Sequence, residues 1–319
     1  MSFQKRWLPI LLAGIFVVAM VDASVLIGSP EVLFPEMTAI LCGAWIQPKQ
    51  AWNVNRPRML ALMTTGAVFG LVMNLAFPGI PLPIRTVIGY AFCALCMNVA
   101  GADMTPMLLG TDSWVYPVAV FVLVALVEVG QVALEHVGLR ETIDYHPFRL
   151  PIEQALASWV RRLGVFALFA MPAYATGNLF LAVPPLLVAY TELTRPDFTL
   201  RLRPWRAWAV LAIAGVIGTL ARDAVVTFGL PSPLVAAFAF VGLVLAWNGL
   251  RTWMPPAGAV VLLAFLVPWS NPWLYAMEVA LGAAVWVTAA LVLFPGIRPT
   301  FADKDKGSLS DAPKESARA

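Results

Sequence analysis

Residues 251–269 read RTWMPPAGAVVLLAFLVPW. Two consecutive prolines and an Ala-Gly-Ala run open a segment that is otherwise apolar and lies between two longer apolar runs. Irregular backbone at membrane depth survives only where it is buried in protein or lines a cavity. Proline suits the first position of a helix, where its missing N–H has no intrahelical partner anyway. The stretch therefore reads as the start of a short helix inside a membrane bundle, with Pro256 at the first helical position. The rest of the chain has to supply the bundle.

It does. The chain has 319 residues, 60% of them hydrophobic and only 12% charged, with a mean hydropathy of +0.80. Soluble domains are about 45–50% apolar and about 25% charged. Met59–Ile84 and Ser113–Val127 contain no Asp, Glu, Lys, Arg or His, and about 20 apolar residues cross ~30 Å of hydrocarbon. The expected fold class is all-α, a polytopic transmembrane helical bundle whose first partner is the lipid bilayer. The net charge of +3 is small, and the cations cluster between apolar segments. That pattern suits membrane orientation and excludes the continuous basic face of a nucleic-acid binder.

The opening run MSFQKRWLPILLAGIFVVAM continues past Asp22 to Ile27 without a small-residue cleavage site, so it reads as a first transmembrane helix. Cys42, Cys93 and Cys96 lie inside apolar runs, and Cys93-x-x-Cys96 has no second pair to complete a zinc site. With two histidines in the chain, a multi-histidine metal centre is excluded. No phosphate-binding GxxxxGK[ST], HExxH or nucleophile elbow appears. No cofactor and no enzymatic activity are expected.

Self-similarity organises the chain. FPGIPLPI at 77–84 resembles FGLPSPL at 228–234, so that Pro81 and Pro83 match Pro231 and Pro233. The same offset of about 150 residues pairs Asn98 with Asn248, Met104 with Met254, Pro106 with Pro256 and Pro35 with Pro185. WVYP at Trp114 resembles WLYA at Trp273. Two repeats follow, residues 1–138 and 159–298, joined by a cytoplasmic linker at 139–158 and followed by a disordered polar tail at 299–319. Each repeat holds a leading helix, a proline-opened segment, two ordinary spans, a short proline-opened segment and a long last helix. If every segment crosses, Lys and Arg fall on one side, and both termini are cytoplasmic. The halves are then parallel repeats about an axis along the membrane normal, in a protein of the bacterial inner or plasma membrane. A homo-oligomer is left open.

The short segments carry the candidate chemistry. Thr105 is a natural N-cap before Pro106, and Pro255-Pro256 is followed by Ala257, Gly258 and Ala259, whose small side chains leave N–H donors open to approach. A helix N-terminus favours anions. Asn98 and Asn248 precede these prolines as hydrogen-bonding groups, and Asp103 and Arg251 are placed to pair across the pseudo-two-fold. Glu36, Glu128 and Glu278 are acids within apolar segments, hence candidates for a proton or cation relay. The bland reading of the same features is that prolines and small residues allow tight helix packing.

MPPAGAVVLL resembles the HPP integral membrane proteins, named for a His-Pro-Pro motif in an HPPAGA context. The chain from PPLLVAY through WNGLRTWMPPAGA is similar to one such module, and FPEMTAILCGAWIQPKQAW with MTPMLLGTDSWVYP is similar to a divergent copy. The resemblance implies an integral membrane fold and, since some members are linked to nitrite transport, a small inorganic anion as substrate. It carries Pro255, Pro256, Ala257 and Gly258 over directly, and Pro106 in the first copy. Met254 stands where the family has its histidine, and Met104 occupies the matching place. The expected function is a transporter or channel for a small solute bound at half-helix N-termini between the repeats. The alternative is a membrane scaffold or assembly protein that moves nothing.

Overall fold

The computed structural model describes residues 3–47, 54–100, 112–142, 152–195, 198–267 and 271–294. Among them lie eleven α-helices and no strand: α1 Phe3–Ile27, α2 Glu36–Leu41, α3 Arg56–Ala76, α4 Leu82–Ala100, α5 Val115–His136 and α6 Ile152–Ala175, then α7 Pro184–Leu193, α8 Pro204–Phe228, α9 Ser232–Leu250, α10 Pro256–Leu263 and α11 Pro272–Leu293. Seven are long and apolar enough to cross a membrane: α1, α3, α5, α6, α8, α9 and α11. At 1.5 Å per residue, 20 residues give the ~30 Å that hydrocarbon demands, and a helix satisfies its own backbone there. The outward side chains agree, since Leu26 is 78% and Phe238 68% exposed. This is a multi-span helical membrane protein.

Local chemistry sets the helix limits. Asn55 caps α3, its side-chain oxygen accepting from the Arg58 N–H at 3.2 Å. Prolines occupy the first turn of α3, α7, α8, α9, α10 and α11, where no backbone donor is lost. Gly229, at φ 65°, closes α8 in the left-handed conformation that glycine adopts without strain. The leading helix of the second part starts at Ile152 rather than near 160, extending beyond its apolar span Ala155–Ala175. Segment 31–47 is divided into a 3₁₀ turn Pro30–Val32, α2 and a π turn Cys42–Ile46, and segment 180–195 into a 3₁₀ turn Leu179–Ala182 and α7. The expected short helix at 104–112 and the tail at 299–319 fall outside the described residues, apart from Asp112.

Small residues let the long helices approach. The face that α8 turns to α10 and α11 carries Gly215 against Val279 and Gly218 against Ala264 and the Val261 backbone. In the first part of the chain, α3 packs on α5. Contacts between distant parts of the chain close the bundle: α1 lies on α9, with Gly14 under the Phe240 ring, and α4 lies on α6. There Tyr90 stacks on Phe166 at 4.3 Å, and the Trp159 indole donates to the Ala91 carbonyl at 3.2 Å. The short helices sit inside. Every residue of α2 is buried, and α10 packs on α2, α7 and α8.

Cations gather at one end of the bundle and hold helix C-termini there. Arg201, fully buried, donates to the Leu193 carbonyl at the end of α7 and to the Phe294 carbonyl after α11, the latter at 2.5 Å. Arg140 reaches the Gly43 carbonyl at 3.0 Å. Arg56 at the start of α3 pairs with Glu135 at the end of α5. A guanidinium neutralises the negative end of a helix dipole while satisfying carbonyls that lack an intrahelical donor.

Candidate functional site at the half-helix crossing

Pro35 and Pro255 each stand immediately before a short helix. At the basic end, the Gln47 side chain donates to the Trp253 carbonyl at 3.5 Å. Deeper in, Gly258 lies against Thr38. The chain therefore climbs from the level of Gln47 to that of Thr38, and the first turn of α10 meets the first turn of α2. Two helix N-termini, each carrying about half a positive charge, converge there.

An acid already occupies the convergence. Glu36 opens α2, is only 6% exposed, and forms no ion pair among the described residues. Its carboxylate accepts from its own backbone N–H. Tyr116 of α5 and Tyr275 of α11 both lie within electrostatic range of it. The Tyr275 hydroxyl donates to the Val260 carbonyl of α10 at 2.5 Å, and the buried Thr38 Oγ1 has no hydrogen-bond partner. Glu36, Thr38, Tyr116 and Tyr275 thus form a polar cluster inside an apolar bundle.

Pro255, Pro256, Ala257, Gly258 and Ala259 are all buried at this crossing, and Pro256 is the first helical residue, as expected from the sequence. The donors expected to be open are not. The Ala257 N–H bonds the Met254 carbonyl at 3.0 Å, and the Gly258 N–H bonds the Pro255 carbonyl at 2.9 Å. A tight i→i−3 turn absorbs two N–H groups that an ideal α-helix would leave without partners.

Of the other expected site residues, those that are described lie outside the crossing. Asn248 donates to the Val244 carbonyl one turn back in α9 at 2.8 Å. Asn98 lies in the last turn of α4, its side chain outside the described set, and Asp103, Thr105 and Pro106 lie outside it entirely. Arg251 is exposed at the basic end of α9. Glu278 accepts from the Phe180 N–H at 3.0 Å and so anchors the 3₁₀ turn Leu179–Ala182 against α11. The Trp286 indole binds the same turn, donating to the Leu181 carbonyl at 2.8 Å. Glu128 is half-buried, one carboxylate oxygen buried without a partner. It lies twelve residues along α5 from Tyr116, a rise of ~18 Å, and so is far from the crossing.

Among the described residues, no three His, Cys, Asp or Glu side chains come together as a metal site, and all three cysteines are free. An apolar groove of about 1110 Å³ runs between α1 and α9 past Asp22, which is exposed near the end of α1. Tyr116 and Tyr275 stand out in the sequence only as repeat markers, and Thr38 does not stand out at all. Nothing local identifies them, because their meeting depends on helices far apart in the chain. Fold and cluster together define a multi-span membrane protein with a polar centre at a break in its helices. No family model, curated protein or solved structure matches the chain.

Proposed function

We propose that the protein moves a small solute across the membrane through the α2–α10 crossing, without an enzymatic step, and that Glu36 is the proton- or cation-binding group. Glu36 carries the reading: a carboxylate on the first turn of a broken helix, buried and without an ion pair among the described residues. A charged side chain at a helix centre costs ~2.5–3.5 kcal/mol by insertion scales, so such groups persist mainly where they bind or relay ions. The two helix dipoles offset part of that cost for the ionised form.

The same geometry argues against an inorganic anion as the solute. The Ala257 and Gly258 donors are already bonded, and Glu36 supplies the negative charge that the helix N-termini favour. A proton, a cation or a neutral hydrogen-bonding solute fits better. Kinship with the HPP proteins remains part of the proposal. Met254, at the position of their histidine, is completely buried, so the chemistry of that histidine is absent here.

Two parallel repeats are also proposed. In support, 3₁₀ turn, short helix and two long helices recur in the same order after α1 and after α6, and the cross-contacts are reciprocal: the first long helix of each part lies on the fourth helix of the other. The basic end faces the cytoplasm by the usual excess of Lys and Arg. The scaffold reading is favoured by one observation, the closeness of Thr38 and Gly258, which leaves no room between the two helices there.

The deciding experiment loads proteoliposomes with a pH-sensitive dye and imposes gradients of sodium, potassium and nitrite in turn. Protein-dependent proton movement, abolished by Glu36→Gln in correctly folded protein, is expected. Flux that survives Glu36→Gln unchanged, or none under any gradient, rejects the reading.

A further inference from the structure

Three arginines meet at the basic end of the α8–α9 hairpin without an acidic partner among the described residues. The short link 229–231 makes α8 and α9 antiparallel neighbours, with Gly242 against Ile217, so the start of α8 lies beside the end of α9. Arg203 immediately precedes α8, and Arg206 stands on its first turn, its N–H bonded to the Arg203 carbonyl at 2.9 Å. Arg251 caps α9. Arg203 and Arg251 both lie within electrostatic range of Arg206, whose Nε is buried with no hydrogen-bond partner. None of the three makes a salt bridge to a described acid.

The backbone supplies a second observation. Arg251, at φ 49° and ψ 44°, is the only non-glycine residue of positive φ among the described residues. Its N–H bonds the Asn248 carbonyl at 3.1 Å, and the Thr252 N–H bonds the Trp247 carbonyl at 3.0 Å, a helix closure that usually employs glycine. Glycine would relieve the strain, yet the position carries a cation beside two others. Trp205, 58% exposed, lies next to this cluster with the Arg206 guanidinium 5.3 Å from its ring centre. An exposed tryptophan beside arginines marks the headgroup level of a membrane.

We propose that Arg203, Arg206 and Arg251 form a binding site for the phosphate of an anionic phospholipid in the leaflet at the basic end. Like charges held together need an anion, and at headgroup depth the abundant one is lipid phosphate. Guanidinium groups suit it, because their planar donors bind phosphate oxygens in pairs. The site is separate from the α2–α10 crossing and holds whether or not the protein transports anything.

The test uses the full-length protein in a mild detergent, with phosphatidylglycerol, phosphatidylcholine and inorganic phosphate as separate additives. Native mass spectrometry counts retained lipid, and thermal melting reads stabilisation. Phosphatidylglycerol is expected to be retained and to raise the melting midpoint, whereas phosphatidylcholine and inorganic phosphate do neither. Each arginine removed should weaken phosphatidylglycerol binding about fivefold, and Arg203→Gln/Arg206→Gln/Arg251→Gly together on the order of 100-fold. Arg58→Gln, at the same end but outside the cluster, should leave the affinity unchanged. Arg251→Gly alone provides a fold-safe variant, because it relaxes the backbone: it should raise the midpoint in phosphatidylcholine while lowering phosphatidylglycerol affinity. Equal binding of the two lipids overturns the proposal, as does full affinity in the Arg251→Gly and triple variants. A complete shift from inorganic phosphate alone overturns the lipid as its source.

Discussion

Thr38 and Gly258 touch across the two short helices, so that a Cβ added to Gly258 would lie 2.5 Å from the Thr38 Cγ2 and 3.0 Å from its Cβ. Gly258→Ala is therefore expected to destabilise the protein by about 1–3 kcal/mol, the usual cost of forcing a methyl into a packed interior. Thr38→Ser removes the nearer of the two opposing atoms and should recover part of that loss. Thermal melting of both single variants and the double in one detergent measures the coupling. Additive effects would mean that the two helices are not in contact.

Arg201 ties the end of α7 to the end of α11 through carbonyl groups of both. Arg201→Ala is expected to cost about 1.5–3 kcal/mol, as for hydrogen bonds to a charged group, plus the packing of a fully buried side chain. Arg201→Lys should recover only a fraction, because one ammonium lacks the planar fork that reaches both chain ends. Denaturant midpoints in detergent separate the two variants.

Glu278 and Glu36 are both acids in apolar helices, and they differ in their surroundings. Glu278 accepts a backbone N–H from Phe180. Glu278→Gln keeps an acceptor there and should leave stability and solute flux nearly unchanged. Glu278→Ala leaves that N–H unsatisfied and should lower stability by about 1–3 kcal/mol. In the dye-loaded proteoliposomes, loss of flux in Glu278→Gln would return this residue to the list of relays.

Tyr275 links α11 to α10 through its hydroxyl on the Val260 carbonyl. Tyr275→Phe should reduce stability by about 0.5–1.5 kcal/mol. It should also alter the pH dependence of any Glu36-dependent flux, because the hydroxyl faces the same buried cluster. A flux–pH profile identical to that of the unaltered protein would remove Tyr275 from the site.

Local chemistry was legible in the sequence. Pro256 opens α10 because a residue without an N–H loses nothing on the first turn, and the charge-free runs specify long helices because hydrocarbon permits little else. Contacts were not legible. Nothing in the sequence near Thr38 indicates that Gly258 will lie against it. In the sequence Arg201 is one more cation between apolar segments, yet it is buried, because α11 brings the Phe294 carbonyl, 93 residues away, to it beside the nearby Leu193 carbonyl. The donors of Ala257 and Gly258, open by the sequence pattern, are closed for a geometric reason: a tightened first turn bonds them to carbonyls that precede the helix.

The lodging of α1 on α9 sets a timetable for synthesis. Once made, α1 finds its partner surface only after roughly 200 further residues, about 10–40 s at common elongation rates. Throughout that interval the flank of α1 around Gly14 is covered by lipid or by an insertion factor, not by its own protein. Premature termination before Ser232 would strand that flank uncovered, a mark by which membrane quality control can recognise the unfinished chain.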